Sequence, residues 1–192
     1  MLSCYIRSKN HLESEGVNMH LTKASMEDLA RIVEVLEDGK NQLAERGVDQ
    51  WQGEYPNISQ VKADIENGFA YLVHADDHET VGVFSILPAP DHSYDELDGE
   101  WLLDTDRYLT IHRVAIHSAH AGNGYASGLF KDLIDHIKVH REDILSLRID
   151  THEDNQAMQH LIEKYGFKRV GTLHGVYRPE ETSYVYEMLT QQ

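Results

Sequence analysis

The sequence predicts a mixed α/β fold, an α+β mixed sheet with helices on both faces. Three observations predict it. Apolar residues recur at helical spacing in Leu29–Leu36, Leu129–Ile137 and Met158–Tyr165. Short β-rich runs bounded by polar turns stand at Phe69–His74, Thr80–Leu87 and Tyr108–His117. Between the last of these and the second stripe lies a glycine-containing turn, the join expected of a β-loop-α unit.

The elements follow in order. His20–Ala24 reads as a short strand, and Ser25 as the N-cap of a helix with Glu27 and Asp28 in its first turn. Leu29, Ile32, Val33 and Leu36 share one face of that helix, which Gly39 ends or interrupts. Residues 41–57 read as irregular. Ser59 is placed to cap a short helix carrying Val61 and Ile65, closed by Gly68. Phe69–His74 and Thr80–Leu87 form a hairpin, and 88–107 a long acidic loop. Tyr108–His117 is a strong strand, Gly124 opens a helix, and Ile144–Asp150 is the next strand. Asp154 or Asn155 caps a helix that Gly166 stops. Phe167–Leu173 and Tyr184–Leu189 form a closing antiparallel pair, giving the order β-α-α-β-β-β-α-β-α-β-β.

With 192 residues and about 150 per domain, the chain holds about one domain. Residues 1–18 show neither helical nor strand periodicity and read as an N-terminal extension; 19–192 read as one domain. Apolar residues are 41% and charged ones 26%, so wholesale disorder is excluded. The longest clean apolar run, Phe69–Val73, is far short of the ~20 residues a membrane span needs. Seventeen basic against 33 acidic residues leave a net charge of −16. That surface repels phosphate backbones, so no nucleic acid is expected, and it draws cationic small molecules. Cys4 is the only cysteine, which rules out an internal disulfide and a cysteine-based zinc site. The default expectation is a cytoplasmic protein that is not bound to a membrane.

The informative stretch is Val114–Ala126. A strand runs into a loop with Gly122 and Gly124, and a helix begins at once. Glycine backbones approach a ligand closely, and a helix N-terminus offers N–H groups and partial positive charge, so the segment suits a phosphate or pyrophosphate. A P-loop is rejected because Tyr125 follows Gly124 where Lys is required. A dinucleotide fingerprint is nearer: Gly122 and Gly124 match, but Ser127 takes the third glycine position. Asp150 could then serve as the ribose-binding acid.

The stretch also resembles the pyrophosphate loop of the GNAT superfamily of acyl-CoA N-acyltransferases. Arg113-Val-Ala-Ile-His117 matches the strand that enters it, and Ala121-Gly-Asn-Gly-Tyr-Ala126 the loop. Asn155–Phe167, closing on Lys-Tyr-Gly-Phe, matches the second family signature in order and spacing. The likeness covers about residues 19–190. It implies splayed central parallel strands and acetyl-CoA as co-substrate, with no metal. It implies transfer of acetyl to a primary amine of a small, cationic acceptor by direct attack in a ternary complex. Dimerisation is common in such enzymes, so a homodimer is compatible with it. Ala121 stands where Arg or Gln is usual. Ile162 stands where many members carry a Tyr that protonates the thiolate, and Tyr165, three residues on, reads as core.

The same resemblance implies the site. Gly122, Asn123, Gly124, Tyr125, Ala126 and Ser127 would hold the pyrophosphate, and Asn155 would touch CoA. Val114 and Ile116 would hydrogen-bond the pantetheine arm and polarise the thioester carbonyl. By the strand period of two, Tyr108, Thr110, His112, Val114 and Ile116 share a face. The carboxylate base frequent in relatives is missing from that face, and His112 is the member with a suitable reference pKa, about 6.5. Trp51 and Gln52, in the loop after the first helix, are placed to contact the acceptor; Trp101 is a weaker candidate. Asp150 and His152 share a strand face, but no metal site is expected from them. Loss of the Tyr and of the carboxylate leaves open a non-catalytic acyl-CoA-binding or sensing module.

Overall fold

Ser25 starts the first helical segment with a reciprocal cap. Its hydroxyl accepts from Glu27 N, while its own N–H donates to Asp28 Oδ2 at 2.8 Å. In the computed structural model, which describes residues 17–75 and 78–191, this cap follows β1 (Met19–Lys23). A single 3₁₀ turn leads into α1 (Leu29–Glu45), then α2 (Ile58–Glu66), β2 (Ala70–Ala75) and β3 (Thr80–Pro88). Next come β4 (Asp98–Gly99), β5 (Tyr108–Ile116), α3 (Tyr125–His140), β6 (Ser146–His152), α4 (Gln156–Lys164), β7 (Lys168–His174) and β8 (Thr182–Leu189). The strand order is β1-β2-β3-β5-β6-β8-β7-β4, a mixed eight-stranded sheet accompanied by four α-helices among the described residues.

The described chain divides into two compact units. The first takes the chain up to Gly39, Pro56–Ser85 and Arg113–His136; the second takes Lys40–Tyr55, Ile86–His112 and Ile137–Gln192. In the first, β1, β2 and β3 form an antiparallel meander, and Ile32, Val35, Leu36, Val61, Val73 and Phe84 are buried. Gly82 in β3 is forced by close approach. A Cβ there would stand 2.8 Å from the Ala115 carbonyl oxygen and closer still to the Ile116 side chain. In the second, β6 pairs antiparallel with β8, and β8 with β7, over Leu147, Leu173, Val185 and Tyr186, all nearly inaccessible.

Four details depart from the sequence reading. Helix α1 runs through Gly39 to Glu45, because Gly39 lies on the buried stripe of Ile32, Val35 and Leu36. Asn57, and not Ser59, caps α2, its side chain accepting from Gln60 N at 3.0 Å. The acidic loop contains β4, two residues paired with Thr172 and Gly171 of β7; so short an edge strand has no periodicity to read. Tyr165 is the C-cap of α4 and only half buried, with the Lys164 ammonium over its ring, so it is not a core residue. Residues 1–16, with Cys4 and most of the expected extension, and Asp76 and Asp77 of the hairpin turn lie outside the described residues.

Candidate functional site

The first unit carries the glycine loop. After β5, His117 caps a 3₁₀ turn at Ser118–His120, and His117 N donates to Val81 O at 2.9 Å. Asp38 of α1 fixes that turn: one oxygen accepts from Ser118 N at 2.7 Å, the other from Ser118 Oγ at 2.6 Å. Gly122 and Gly124 follow with φ of +79° and +82°, the left-handed region that a side chain disfavours. A Cβ on Gly122 would meet nothing within 4 Å, so the space over the loop is open. Tyr125, Ala126 and Ser127 form the first turn of the 16-residue α3, the end of a helix that carries partial positive charge. Glycines of this kind ahead of a helix N-terminus are an arrangement that can accept an anion.

Entering the loop, Arg113 has φ +52°, so the two-residue alternation of β5 does not carry across it. Val114 and Ile116 therefore do not share the face of His112 by counting. The Arg113 side chain is buried against Asp64, with Nε 2.6 Å from Oδ2, and Ser85 donates to the same oxygen at 2.7 Å.

The second unit carries a polar cluster. Its parallel β5–β6 pairing runs only from Tyr108–Ser146 to Ile111–Ile149, although β6 continues to His152. His112 comes directly after the last paired residue. It is buried, with Nε2 2.6 Å from Asp91 Oδ2. Burial works to raise the Asp91 carboxyl, but the hydrogen bond and charge of His112, with Ser93 N–H, outweigh it and hold the carboxyl well below the usual range. Asp91 is thus ionised and accepts. In neutral His112 the proton then sits on Nε2, leaving Nδ1 as the acceptor.

Tyr94 stacks over the His112 ring at 6.4 Å and donates to Asp150 Oδ1 at 3.1 Å; Tyr177 donates to the same oxygen at 3.0 Å. Burial, then the charge of Asp150, pushes both phenols well above the ordinary tyrosine range, so both stay protonated. Burial also raises Asp150; the charge of His112 and the two hydroxyls offset only part of that. Asp150, which the sequence offered as a ribose-binding acid only under the dinucleotide reading, here accepts both tyrosine hydroxyls on one oxygen. It belongs to a tyrosine-clamped pair of bonds, and among the described residues no three His, Cys, Asp or Glu side chains are placed to hold a metal. Asp91, Tyr94 and Tyr177 were not legible, since each joins the cluster only through tertiary contact.

The loop between α1 and α2 is tied down around Trp51. Gln50 Oε1 accepts from Asn155 Nδ2 at 2.7 Å and from Thr151 Oγ1 at 3.3 Å. Gln52 Nε2 donates to the carbonyls of Lys40 and Gln50, both at 3.0 Å, so its amide anchors the loop. Asn155 also caps α4, its Oδ1 accepting from Met158 N at 3.2 Å. Trp51, Gly53, Tyr55, Tyr177, Arg178 and Glu181 line a small, shallow cleft, partly open to solvent. Trp101 stands elsewhere, with the Arg148 guanidinium 3.6 Å over its ring and Tyr94 edge-on at 5.4 Å.

The chain is a mixed α/β protein whose glycine loop runs directly into the N-terminus of α3. Residues 34–167 match the model of the acetyltransferase (GNAT) family. A GNAT-family acetyltransferase from Streptococcus agalactiae 2603 is similar at 30% identity and TM-score 0.78, over 91% of this chain and 96% of that one. One from Listeria monocytogenes 4b F2365 is similar at 20% identity and TM-score 0.68, over 89% and 94%. A spermidine N-acetyltransferase from Vibrio cholerae, solved with CoA and spermine, is similar at 16% identity and TM-score 0.65, over 90% and 96%. No curated protein sequence matches significantly. The chain belongs to the acetyltransferase (GNAT) family. That membership decides against the dinucleotide reading of the glycine loop.

Proposed function

We propose that this protein is an N-acetyltransferase that moves acetyl from acetyl-CoA to the primary amine of a small, cationic acceptor in a ternary complex. The observation that carries the reading is the loop Ala121–Ala126, with two left-handed glycines, open space above Gly122 and the α3 N-terminus behind it. Gly122, Asn123, Gly124, Tyr125 and Ala126 would hold the pyrophosphate through backbone N–H groups, so the missing side chain at Ala121 costs one contact and not the site. Ser127 would add its hydroxyl, Val114 and Ile116 their backbones to the pantetheine arm, and Asn155 a further CoA contact. Acetyl-CoA supplies the activated thioester.

The acceptor nitrogen attacks the thioester carbonyl carbon; the new C–N bond forms, the C–S bond breaks and the electron pair leaves with sulfur. The surplus proton on nitrogen goes to His112 at Nδ1, the nitrogen left as acceptor when Nε2–H donates to Asp91. The pair works as a positioned base with a carboxylate fixing its tautomer. Trp51 walls the acceptor side, supported by the flanking bonds of Gln50 and Gln52. Ile162 is fully buried where many relatives carry the acid Tyr. A thiol with a reference pKa of about 8.5 leaves tolerably as thiolate, so the reaction proceeds without that acid.

The same buried Ile162 favours a second reading, a module that binds acyl-CoA without turnover. Calorimetric titration with acetyl-CoA, with NAD as control, followed by a thiol-release assay over an amine panel, separates the two. One-site binding of acetyl-CoA and thiol release with an amine support the enzyme; binding without release with any amine supports the module; no binding, or binding of NAD alone, overturns both. The homodimer belongs to the proposal as well, and light scattering tests it.

A further inference from the structure

The cleft behind Trp51 has a chemistry that the transfer step does not use. Tyr55 and Tyr177 face each other across 5.2 Å between ring centroids, tilted by 35°, and Trp51 supplies a third aromatic surface. The Tyr177 hydroxyl is committed to Asp150, so its ring is what it presents. Aromatic faces attract cations, tryptophan most strongly.

Trp51 is also held in an uncommon backbone state. Its φ is +65°, in the left-handed region that bulky side chains avoid. The bonds of Gln50 and Gln52 on either side, and those from Arg178 to the Asp49 carbonyl and carboxylate, keep it there. Backbone strain sustained by flanking anchors is characteristic of ligand clamps. A residue serving only to pack could do so from ordinary backbone.

The charge balance points the same way. Arg178 is shared between the carboxylates of Asp49 and Glu181. Asp150 lies one hydrogen bond behind Tyr177, and Lys40 reaches the carbonyl of Gly53 at 3.4 Å. Asp49, Glu181 and Asp150 thus gather on this side, with Arg178, Lys40 and His152 as the groups that offset them. Glu181 is buried, and burial raises its carboxyl despite the opposing charges of His152 and Arg178. An entering cation would supply the missing compensation. An acceptor carboxylate would have to displace Asp49 or Glu181 from Arg178.

We infer that the cleft of Trp51, Tyr55, Tyr177, Arg178 and Glu181 binds a second cationic group of the acceptor, so that the preferred substrates are diamines or polyamines. This rests on the acetyltransferase reading, and the test separates the two. Putrescine, butylamine and γ-aminobutyrate have the same chain length and end in a cation, a methyl group and a carboxylate. Titration of the whole protein is followed by tryptophan fluorescence, and Trp51→Phe separates the Trp51 signal from that of Trp101. Putrescine is expected to bind saturably, about tenfold or more tighter than butylamine, and to be displaced by tetramethylammonium. The signal is lost in Trp51→Phe, and affinity falls about tenfold in Glu181→Gln, each variant first shown to be folded by circular dichroism. In thiol-release assays the kcat/KM ratio of putrescine to butylamine falls towards one in Glu181→Gln. Equal binding of putrescine and butylamine, or tighter binding of γ-aminobutyrate, overturns the inference even if every amine is acetylated. Putrescine binding without thiol release from any amine upholds the cation site and overturns the acetyltransferase reading instead.

Discussion

His112 Nε2 lies 2.6 Å from Asp91 Oδ2, and both side chains are buried. The bond does two things at once: it sets which imidazole nitrogen can take a proton, and it keeps a carboxylate charged away from water. Under the proposed mechanism, His112→Ala lowers kcat by about 10²–10⁴-fold with little change in acetyl-CoA affinity, because only the proton acceptor is lost. Asp91→Asn retains a partner but loses its charge, and lowers kcat by a smaller factor. Steady-state kinetics with calorimetric acetyl-CoA titration checks both.

The same pair gives stability a pH dependence of known sign. Asp91 is held well below its unfolded value of about 3.9. Its contribution is therefore complete above that value and is lost as pH falls through the lower, folded-state value. Urea unfolding at neutral pH and near pH 3 shows it: the wild type loses more stability on acidification than Asp91→Asn does. An equal loss in both proteins contradicts the ionised Asp91.

Asp150 has the opposite sign. Burial raises its carboxyl, so ionising it opposes folding, and stability declines as pH rises through the raised value. Asp150→Asn keeps an oxygen to accept from Tyr94 and Tyr177 and removes the charge. It is expected to raise Tm by about 2–4 °C at pH 7 and to lower kcat/KM for cationic amines. Calorimetry and the thiol assay together check a residue kept for function at a cost in stability.

These residues also show where sequence reading stops. Ser25, Asn155, Gly122, Gly124 and Gly166 announce themselves because caps and left-handed positions demand particular residue types locally. Gly39 misleads because a glycine on a buried helix face looks like a glycine that ends a helix. The face of His112 was countable, whereas the positive φ at Arg113 leaves no mark on the pattern, and the buried bond of Arg113 to Asp64 joins residues distant in the chain. Tyr94, Asp150 and Tyr177 meet on one carboxylate oxygen through contacts spanning 56 and 27 residues. No periodicity records such a meeting. Trp51 and Gln52 were legible as an unusual loop, but the bonds of Gln52 to the Lys40 and Gln50 carbonyls were not.

Glu187 tests the frame of the second unit. It is completely buried, accepts from Ser146 Oγ and Leu102 N at 2.5 Å each, and pairs with Arg148 at 3.3 Å. Arg148 in turn lies between Trp101 and Tyr108, 3.6 and 3.7 Å from their ring centres. Removing one member leaves the other charge buried and unpaired, which costs about 3–5 kcal/mol. Glu187→Ala is expected to lower Tm by about 6–20 °C, and Glu187→Gln by less. Thermal unfolding decides; an unchanged Tm in Glu187→Ala means the pair contributes nothing.

The glycine loop can be tested by a contrast of three substitutions. A Cβ at Gly122 meets open space, so Gly122→Ala costs about 1 kcal/mol of left-handed strain and intrudes where a phosphate would sit. A Cβ at Gly124 stands 2.9 Å from the Val17 side chain, so Gly124→Ala adds a clash to the same strain. Asp38→Ala touches neither glycine but releases the Ser118 turn leading into them. If the loop binds pyrophosphate, Gly122→Ala weakens acetyl-CoA by about tenfold or more with a small change in Tm, and Gly124→Ala lowers both. Asp38→Ala raises KM for acetyl-CoA while kcat at saturation stays near wild type, because its effect is on the position of the loop. Acetyl-CoA affinity that is indifferent to all three places the co-substrate elsewhere.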